Sequence, residues 1–414
     1  MENFTFIHSA DWHLGHSFLD EADRRLEHRA FFAELLEILN NENADALIVA
    51  GDIFDKINPS AFALKALYQF LGELHAKMPH VQTVLVAGNH DSALRLEAPR
   101  EVLRYLNVAV VGAVNNPADL IIPLKNRAGD VAAFCLAVPF LRVSDIAPFI
   151  QESEECFYET GVAAFYETAL SLVPNKNLPI IATAHCFVAG AQNSPDSERR
   201  LLIGGQESVS ANVFPKSIDY VALGHLHRAQ KISDKIFYSG SAIPLSFTER
   251  HYRHRVLKVE FEGKKLKNVL SIFLTRLVDF WQWPDDSSAL SKQEILQKIA
   301  DLPEKKTNDN VEEYPFLKIR LRFNAQDLFA ASEVKKALEN KAVRLMLLEQ
   351  GVLEKGQGDS LESAQEQSLH ILQKLNPKDL FIQLYRTQND DAPPPPEWQD
   401  AFDELERMVE RQEK

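Results

Sequence analysis

Cysteine is scarce: 414 residues contain only Cys135, Cys156 and Cys186, and no pair has CxxC spacing. That excludes a disulfide framework and the usual thiolate zinc site, and it fits a reducing compartment. Cys186 beside a histidine reads as a small buried hydrophobe. No apolar run approaches the roughly 20 residues that span a bilayer. The opening residues, MENFTFIHSADWH, place an acid at position 2 and show no secretory pattern. The expectation is a soluble, cytoplasmic chain. A GxxxxGK[ST] loop is missing as well, so any ATP dependence must come from a partner. Positive charge is also short, with 45 Lys and Arg against 59 Asp and Glu, a net charge of −14. Such a balance argues against a general nucleic-acid coat. It does not exclude a nuclease, because bound metal ions reverse the sign of a carboxylate site.

What is present is an alternating pattern. A short strand at Phe4–His8 leads into a helical stretch over 23–43, with Leu26, Ala30, Phe31, Leu35, Ile38 and Leu39 on one face. The runs 46–50 and 83–87 read as buried strands closed by Gly51-Asp52 and Gly88-Asn89, with a helix over 60–77 between them. This β-α-β-α-β order implies parallel strands and right-handed crossovers. Further strands are expected near 107–112, 131–138, 179–184, 218–223, 235–240, 255–261 and 269–275, as in a mixed sheet or a two-sheet sandwich.

The texture changes near residue 280. A helical stretch to about 300, a strand from Phe316, a helix over 326–340 and a strand over 342–348 predict a small α+β unit. A loop over 351–367 and a helix over 368–384 follow. Asp390-Asp391 and Pro393–Pro396 then form a stiff linker. Beyond it Trp398, Phe402, Leu405, Met408 and Val409 share one helical face. The division expected is a catalytic domain over 1–280, a cap over 281–388, and a linker with a partner-docking helix over 389–414.

Five motifs carry chemistry, each at the end of an expected strand: Asp11-Trp12-His13, Gly51-Asp52, Gly88-Asn89-His90-Asp91, His185, and Gly224-His225-Leu226-His227. Ligands gather at the carboxyl ends of strands in α/β sheets, so these segments can converge. Two aspartates, an asparagine and four histidines make a mixed oxygen and imidazole set, which suits Mn²⁺, Fe²⁺ or Zn²⁺ better than Ca²⁺. Asp11 and His13, like His225 and His227, point to one side of an extended segment. Asp52 can bridge two ions with its two carboxylate oxygens, which Asn89 cannot. One ion would take Asp11, His13, Asp52 and His227, and the other Asp52, Asn89, His185 and His225. Two ions about 3.5–4 Å apart activate water and clamp an in-line displacement at phosphorus.

DxH, GD, GNHD, H and GHxH in this order resemble the calcineurin-like metallophosphoesterase superfamily. The stretches Ser9–Gly15, Val49–Asp55, Val86–Asp91, Tyr220–His227 and Tyr238–Phe247 are nearer still to its bacterial SbcD branch, the nuclease subunits related to archaeal and eukaryotic double-strand-break repair nucleases. The resemblance implies an α/β fold: a metallophosphoesterase β-sandwich flanked by helices, then a small α+β cap and a helical tail. It implies a Mn²⁺-dependent DNA exonuclease and endonuclease, an SbcC-type ATPase partner, and a homodimer of this subunit formed through helices near 60–77 and 95–106. It adds His90 as the non-ligand catalytic histidine, oriented by Asp91. At Asp55 archaeal relatives carry a nucleotide-placing histidine, so that role does not carry over. His16, Arg250, Arg253 and Arg255 are candidate DNA contacts, Arg199-Arg200 weaker ones. Trp281 and Trp283 would anchor the cap. A small-molecule phosphatase on the same scaffold and a scaffold with a decayed site are the alternatives. The first has no need of a spaced tail, and the second does not fit an intact ligand set.

Overall fold

A computed structural model of the chain describes residues 3–19, 21–150, 157–194, 208–322 and 329–351, with short stretches at 385, 393–395, 397–398 and 401–402. Chain order opens with β1 (Asn3–Ser9), β2 (Ser17–Phe18), β3 (Ala22–Asp23), α1 (Arg25–Asn41), β4 (Ala46–Ala50), α2 (Ala61–Lys77) and β5 (Gln82–Val86). Next come α3 (Ala93–Glu97), α4 (Arg100–Arg104), β6 (Val108–Val111), β7 (Ile121–Lys125), β8 (Val131–Leu136), α5 (Val143–Ile146) and α6 (Phe157–Ser171). Then β9 (Ile180–His185), β10 (Tyr220–Gly224), β11 (Gln230–Lys231), β12 (Ile236–Tyr238), β13 (Arg255–Glu262) and β14 (Lys265–Phe273) complete the sandwich.

Two six-stranded sheets result, ordered β14-β13-β1-β4-β5-β6 and β11-β12-β10-β9-β8-β7. β1, β4, β5 and β6 are parallel, while β13 joins β1 antiparallel. The alternation along β1 decides the layering. Phe4 and Phe6 enter a core shared with Leu136, Ile181 and Val221 of the second sheet. Ile7 enters another core with Leu35 of α1 and Phe70 of α2. All five residues of β4 are buried, as a strand covered on both faces requires. α6 packs on the second sheet, where the buried Tyr166 hydroxyl donates to the Thr183 carbonyl (2.7 Å).

After β14 come β15 (Phe280–Trp283), α7 (Lys292–Ala300), β16 (Phe316–Arg322), α8 (Ala330–Leu338) and β17 (Arg344–Gly351). The chain divides into two compact units. One holds Met1–Asp285, Leu302–Ile319 and Leu338–Leu347; the other holds Asp286–Asp301, Arg320–Ala337 and Leu348–Lys414. In the first, Phe280 and Phe316 join Phe18 and Phe247 in one aromatic cluster, which explains why chain beyond residue 285 returns to it. In the second, Ser291 and Glu294 form a capping box at the start of α7. Trp281 and Trp283 are half-buried on β15. Beyond Gly351 the expected loop over 351–367 lies outside the described residues, as do the expected helix over 368–384 and Leu405, Met408 and Val409 of the tail.

Candidate metal centre

All five motifs sit at strand ends. Asp11 and His13 follow β1, Asp52 follows β4, Asn89 to Asp91 follow β5, His185 ends β9, and His225 and His227 follow β10. The first three strands belong to one sheet and the last two to the other, so the site forms where the two sheets' ends meet. Gly224 makes that meeting possible: a Cβ there would lie 2.0 Å from the Ala50 carbonyl oxygen. Hydrogen bonds then lock the loops. The Asp11 amide donates to Gly51 O and the His13 amide to Asp52 O, both at 3.0 Å. The His225 amide donates to Asp11 Oδ1 at 2.9 Å.

The backbone is held in an unusual state here. Asp11, His13, Asp52 and His225 have φ of 52°, 45°, 50° and 93°, a left-handed region that costs an L-residue roughly 1–2 kcal/mol. Such strain persists only where the surroundings over-determine it, typically at functional sites. Trp12, between two of these residues, turns the other way into Phe31, Phe32 and Phe70 and anchors the loop.

Asp11, His13, Asp52, His185, His225 and His227 are all buried, and burying such groups without partners is costly. Their ligating atoms converge instead. Asp11, His13 and His227 form one group within 4.8 Å, Asp11, Asp52 and His185 a second, and His13, Asp52 and His90 a third. Asp52 Oδ2 lies 3.6 Å from His13 Nε2 and 3.3 Å from His185 Nε2. The Asn89 carboxamide oxygen lies 3.0 Å from both His185 Nε2 and His225 Nδ1.

The donor set fits divalent metal on two grounds. Asp11 Oδ2 and His13 Nε2 are buried without any hydrogen-bond partner, as a ligand atom aimed at a cation would be. The field also calls for positive charge. Burial opposes an imidazolium at His185, yet Asp52 and then Asp11 outweigh it and push the pKa up to about 9. Burial likewise opposes the Asp52 carboxylate, but His185 and then His13 hold it well below the usual range. His225 is driven down to about 3 by burial first and His185 second.

Two histidines are fixed through their second nitrogen. His185 Nδ1–H donates to the Ala50 carbonyl (2.9 Å), which turns Nε2 inward. His227 Nδ1–H donates to Glu249 Oε1 (2.9 Å). Glu249 is fully buried, and its other oxygen accepts from Ser241 Oγ and the Leu245 amide, each at 3.1 Å. Metal-binding histidines commonly rest on such a carboxylate. Sequence reasoning missed Glu249; the available signal was an acid two residues past the motif that ends at Phe247.

His90 is brought to the same cleft, with its ring 4.9 Å from that of His13. Its orientation corrects the expectation for Asp91. His90 Nδ1–H donates to the Asp55 carbonyl (2.8 Å), and its amide donates to Asp52 Oδ1 (2.9 Å). The Asp91 carboxylate instead accepts from the amides of Ile53, Phe54 and Gly88 at 3.0, 2.8 and 2.8 Å. It ties two loops together, because three inward N–H groups compete for it. Asp55 therefore supports His90 through its backbone, which any residue type could do, and its side chain lies 3.3 Å from His13 Nδ1.

The candidate DNA contacts divide. His16 is held down to about pKa 3, by burial and then by Arg24, and so is neutral. Arg250 pairs with the Asp285 carboxylate (2.8 Å) and donates to the Asp285 and Phe247 carbonyls. Arg253 is exposed and Arg255 half-buried. Arg199 and Arg200 lie outside the described residues.

Comparison with known proteins agrees with this geometry. The calcineurin-like phosphoesterase family matches residues 4–229, and a family described as the type 5 capsule protein repressor C-terminal domain matches residues 282–389. The SbcD subunit of the SbcCD nuclease of Rhodobacter capsulatus is 39% identical over 354 residues, 82% of this chain and 85% of the relative. The SbcD subunit of Escherichia coli is 37% identical over 275 residues, covering 64% of this chain and 66% of the relative. That of Bacillus subtilis is 34% identical over 264 residues, 61% and 65% of the two chains. A catalytic-domain match over more than half the chain, and a relative this similar over most of its length, place the chain in the calcineurin-like phosphoesterases, among the SbcD subunits of SbcCD nucleases.

Proposed function

We propose that this chain is a Mn²⁺-dependent DNA nuclease, acting as an exonuclease on duplex ends and an endonuclease on single strands and hairpins. The observation that carries the reading is the position of Asp52 Oδ2 between His13 and His185, so that one carboxylate can serve two ions. Asp11, His13, Asp52 and His227 would hold one, and Asp52, Asn89, His185 and His225 the other. When bound, two such ions supply an activated water and a clamp for the oxygens of an in-line displacement at phosphorus.

The rest falls to the protein. His90 gives its Nδ1–H to the Asp55 carbonyl, so Nε2 is the atom left to meet the scissile phosphate. Only the doubly protonated ring carries a proton there, and it is that imidazolium which would hand the Nε2 proton to the leaving oxygen. Asp91 acts one step back: by gathering three amides it fixes the loop that carries His90. Glu249 keeps His227 in the tautomer with Nε2 unprotonated. The proposed partner is an SbcC-type ATPase, docked by the 389–414 tail, with the 281–388 segment as a cap. A homodimer through α2, α3 and α4 is supported by Leu94, Val102 and Tyr105, large apolar side chains left exposed on the last two and at their junction with β6.

The test is cleavage of end-labelled duplex and hairpin DNA in Mn²⁺, with and without the ATPase. Wild type should cleave both, and His90→Ala should lose at least about 100-fold, the usual contribution of a positioned acid. Equal cleavage by His90→Ala would sink the mechanism. Hydrolysis of small phosphodiesters alone would favour a phosphatase.

A further inference from the structure

A cavity of about 310 Å³ opens beside the metal centre, with His227 on its wall. Its lining includes Arg228, Tyr252, Arg253, Arg255 and Phe273, and no aspartate or glutamate among the described residues. In a chain with 14 more acids than bases, three guanidinium groups around one opening with no acid is an uneven distribution of charge. Nor are these cations neutralised elsewhere: none of the three pairs with an acid among the described residues.

The guanidinium groups are instead laid on rings. Arg253 stacks on Phe273 at 3.7 Å, Arg255 lies 5.1 Å from the same ring, and Arg228 lies 5.6 Å from Tyr252. Stacking orders an arginine without using up its N–H donors, which in Arg228 and Arg253 remain available to an oxyanion. Arg255 gives Nε to the Arg253 carbonyl and one terminal nitrogen to Ser271 Oγ (3.2 Å) and keeps the other terminal nitrogen. The loop itself is pinned. Arg276 donates to the carbonyls of Arg250 and Tyr252, at 2.5 and 2.6 Å, and Arg255 Nε donates to the Arg253 carbonyl at 3.2 Å. Arg250, the remaining arginine of the run, is turned away into its pair with Asp285.

We infer that this cavity is a second phosphate subsite, which takes a non-scissile phosphate of the substrate strand next to the one at the metals, with Arg228, Arg253 and Arg255 as its donors. The inference rests on the nuclease reading and deepens it. A substrate with a single phosphodiester would fill the metal centre alone, whereas a polynucleotide would fill both. Arg253 and its neighbours would thus select for a chain of phosphates.

The test compares DNA with bis(4-nitrophenyl) phosphate, a diester too short to reach the cavity, using the full-length chain with its ATPase. In Arg253→Gln and in the double variant Arg228→Gln/Arg253→Gln, the ratio of kcat/KM for DNA to that for the small diester should fall about tenfold or more. The slope of log affinity for labelled duplex against log salt, measured in EDTA, should drop by about 0.9 for each phosphate contact removed. Arg253→Lys should recover part of both, because it restores the charge without the fork. An unchanged ratio and slope beside wild-type DNA cleavage would overturn the subsite and leave the nuclease reading standing. A wild-type chain that hydrolyses the small diester but not DNA would overturn both.

Discussion

Glu249 never meets a substrate in this account, yet it decides which nitrogen of His227 can. Its carboxylate takes the Nδ1 proton, and two further donors hold it in place. Glu249→Gln keeps the shape and removes the charge. Calorimetric titration of the metal-free chain with Mn²⁺ should then show affinity weakened about 10–100-fold at one ion, the usual cost of losing such support. Wild-type affinity in that variant would rule the role out. Residues of this kind are hard to read from sequence. The seven candidate ligands were legible because aspartate, asparagine and histidine recur in short motifs after apolar runs. Glu249 has no motif of its own, and its partner lies 22 positions away. Asp91 was legible as important but not for the right reason, since sequence adjacency to His90 does not show that three backbone amides claim its oxygens.

Strand ends are where this fold concentrates its demands. Gly88, just past β5, leaves room for Asp52: a Cβ would lie 2.1 Å from Asp52 Oδ1 and 2.3 Å from its backbone nitrogen. Gly88→Ala should therefore cost about 1–3 kcal/mol, as overpacking does, and displace the shared carboxylate. Urea unfolding and metal content would report the two effects, and a variant unchanged in both would refute the close approach. The strands that carry the site were readable because buried parallel strands are continuous apolar runs. β7 was not, since Pro123 interrupts its pattern, and an edge position is what lets the strand tolerate it. The helix expected over 95–106 forms as two short pieces, α3 and α4, that break at Pro99 because proline lacks the amide to continue. α6 went unread behind a weakly amphipathic, largely apolar sequence.

At the scale of the whole molecule, two sheets of an acidic chain meet at one end around buried carboxylates that need cations. The chain's net charge of −14 is thus less informative than where its charges lie: carboxylates at the sheet ends, and arginines stacked on rings in the cavity beside them. The compact units also cross the linear order, with residues 302–319 and 338–347 belonging with the first. A boundary read along the sequence near 280 could not express that, because packing on Phe18 and Phe247 is a property of space and not of order. The central claim is a pair of metal ions that share Asp52. It is tested most directly by counting ions bound to the full-length chain after equilibrium dialysis against Mn²⁺. Two ions are expected per wild-type chain and no more than one in Asp52→Asn; one ion in the wild type, or two retained in the variant, would contradict a shared carboxylate.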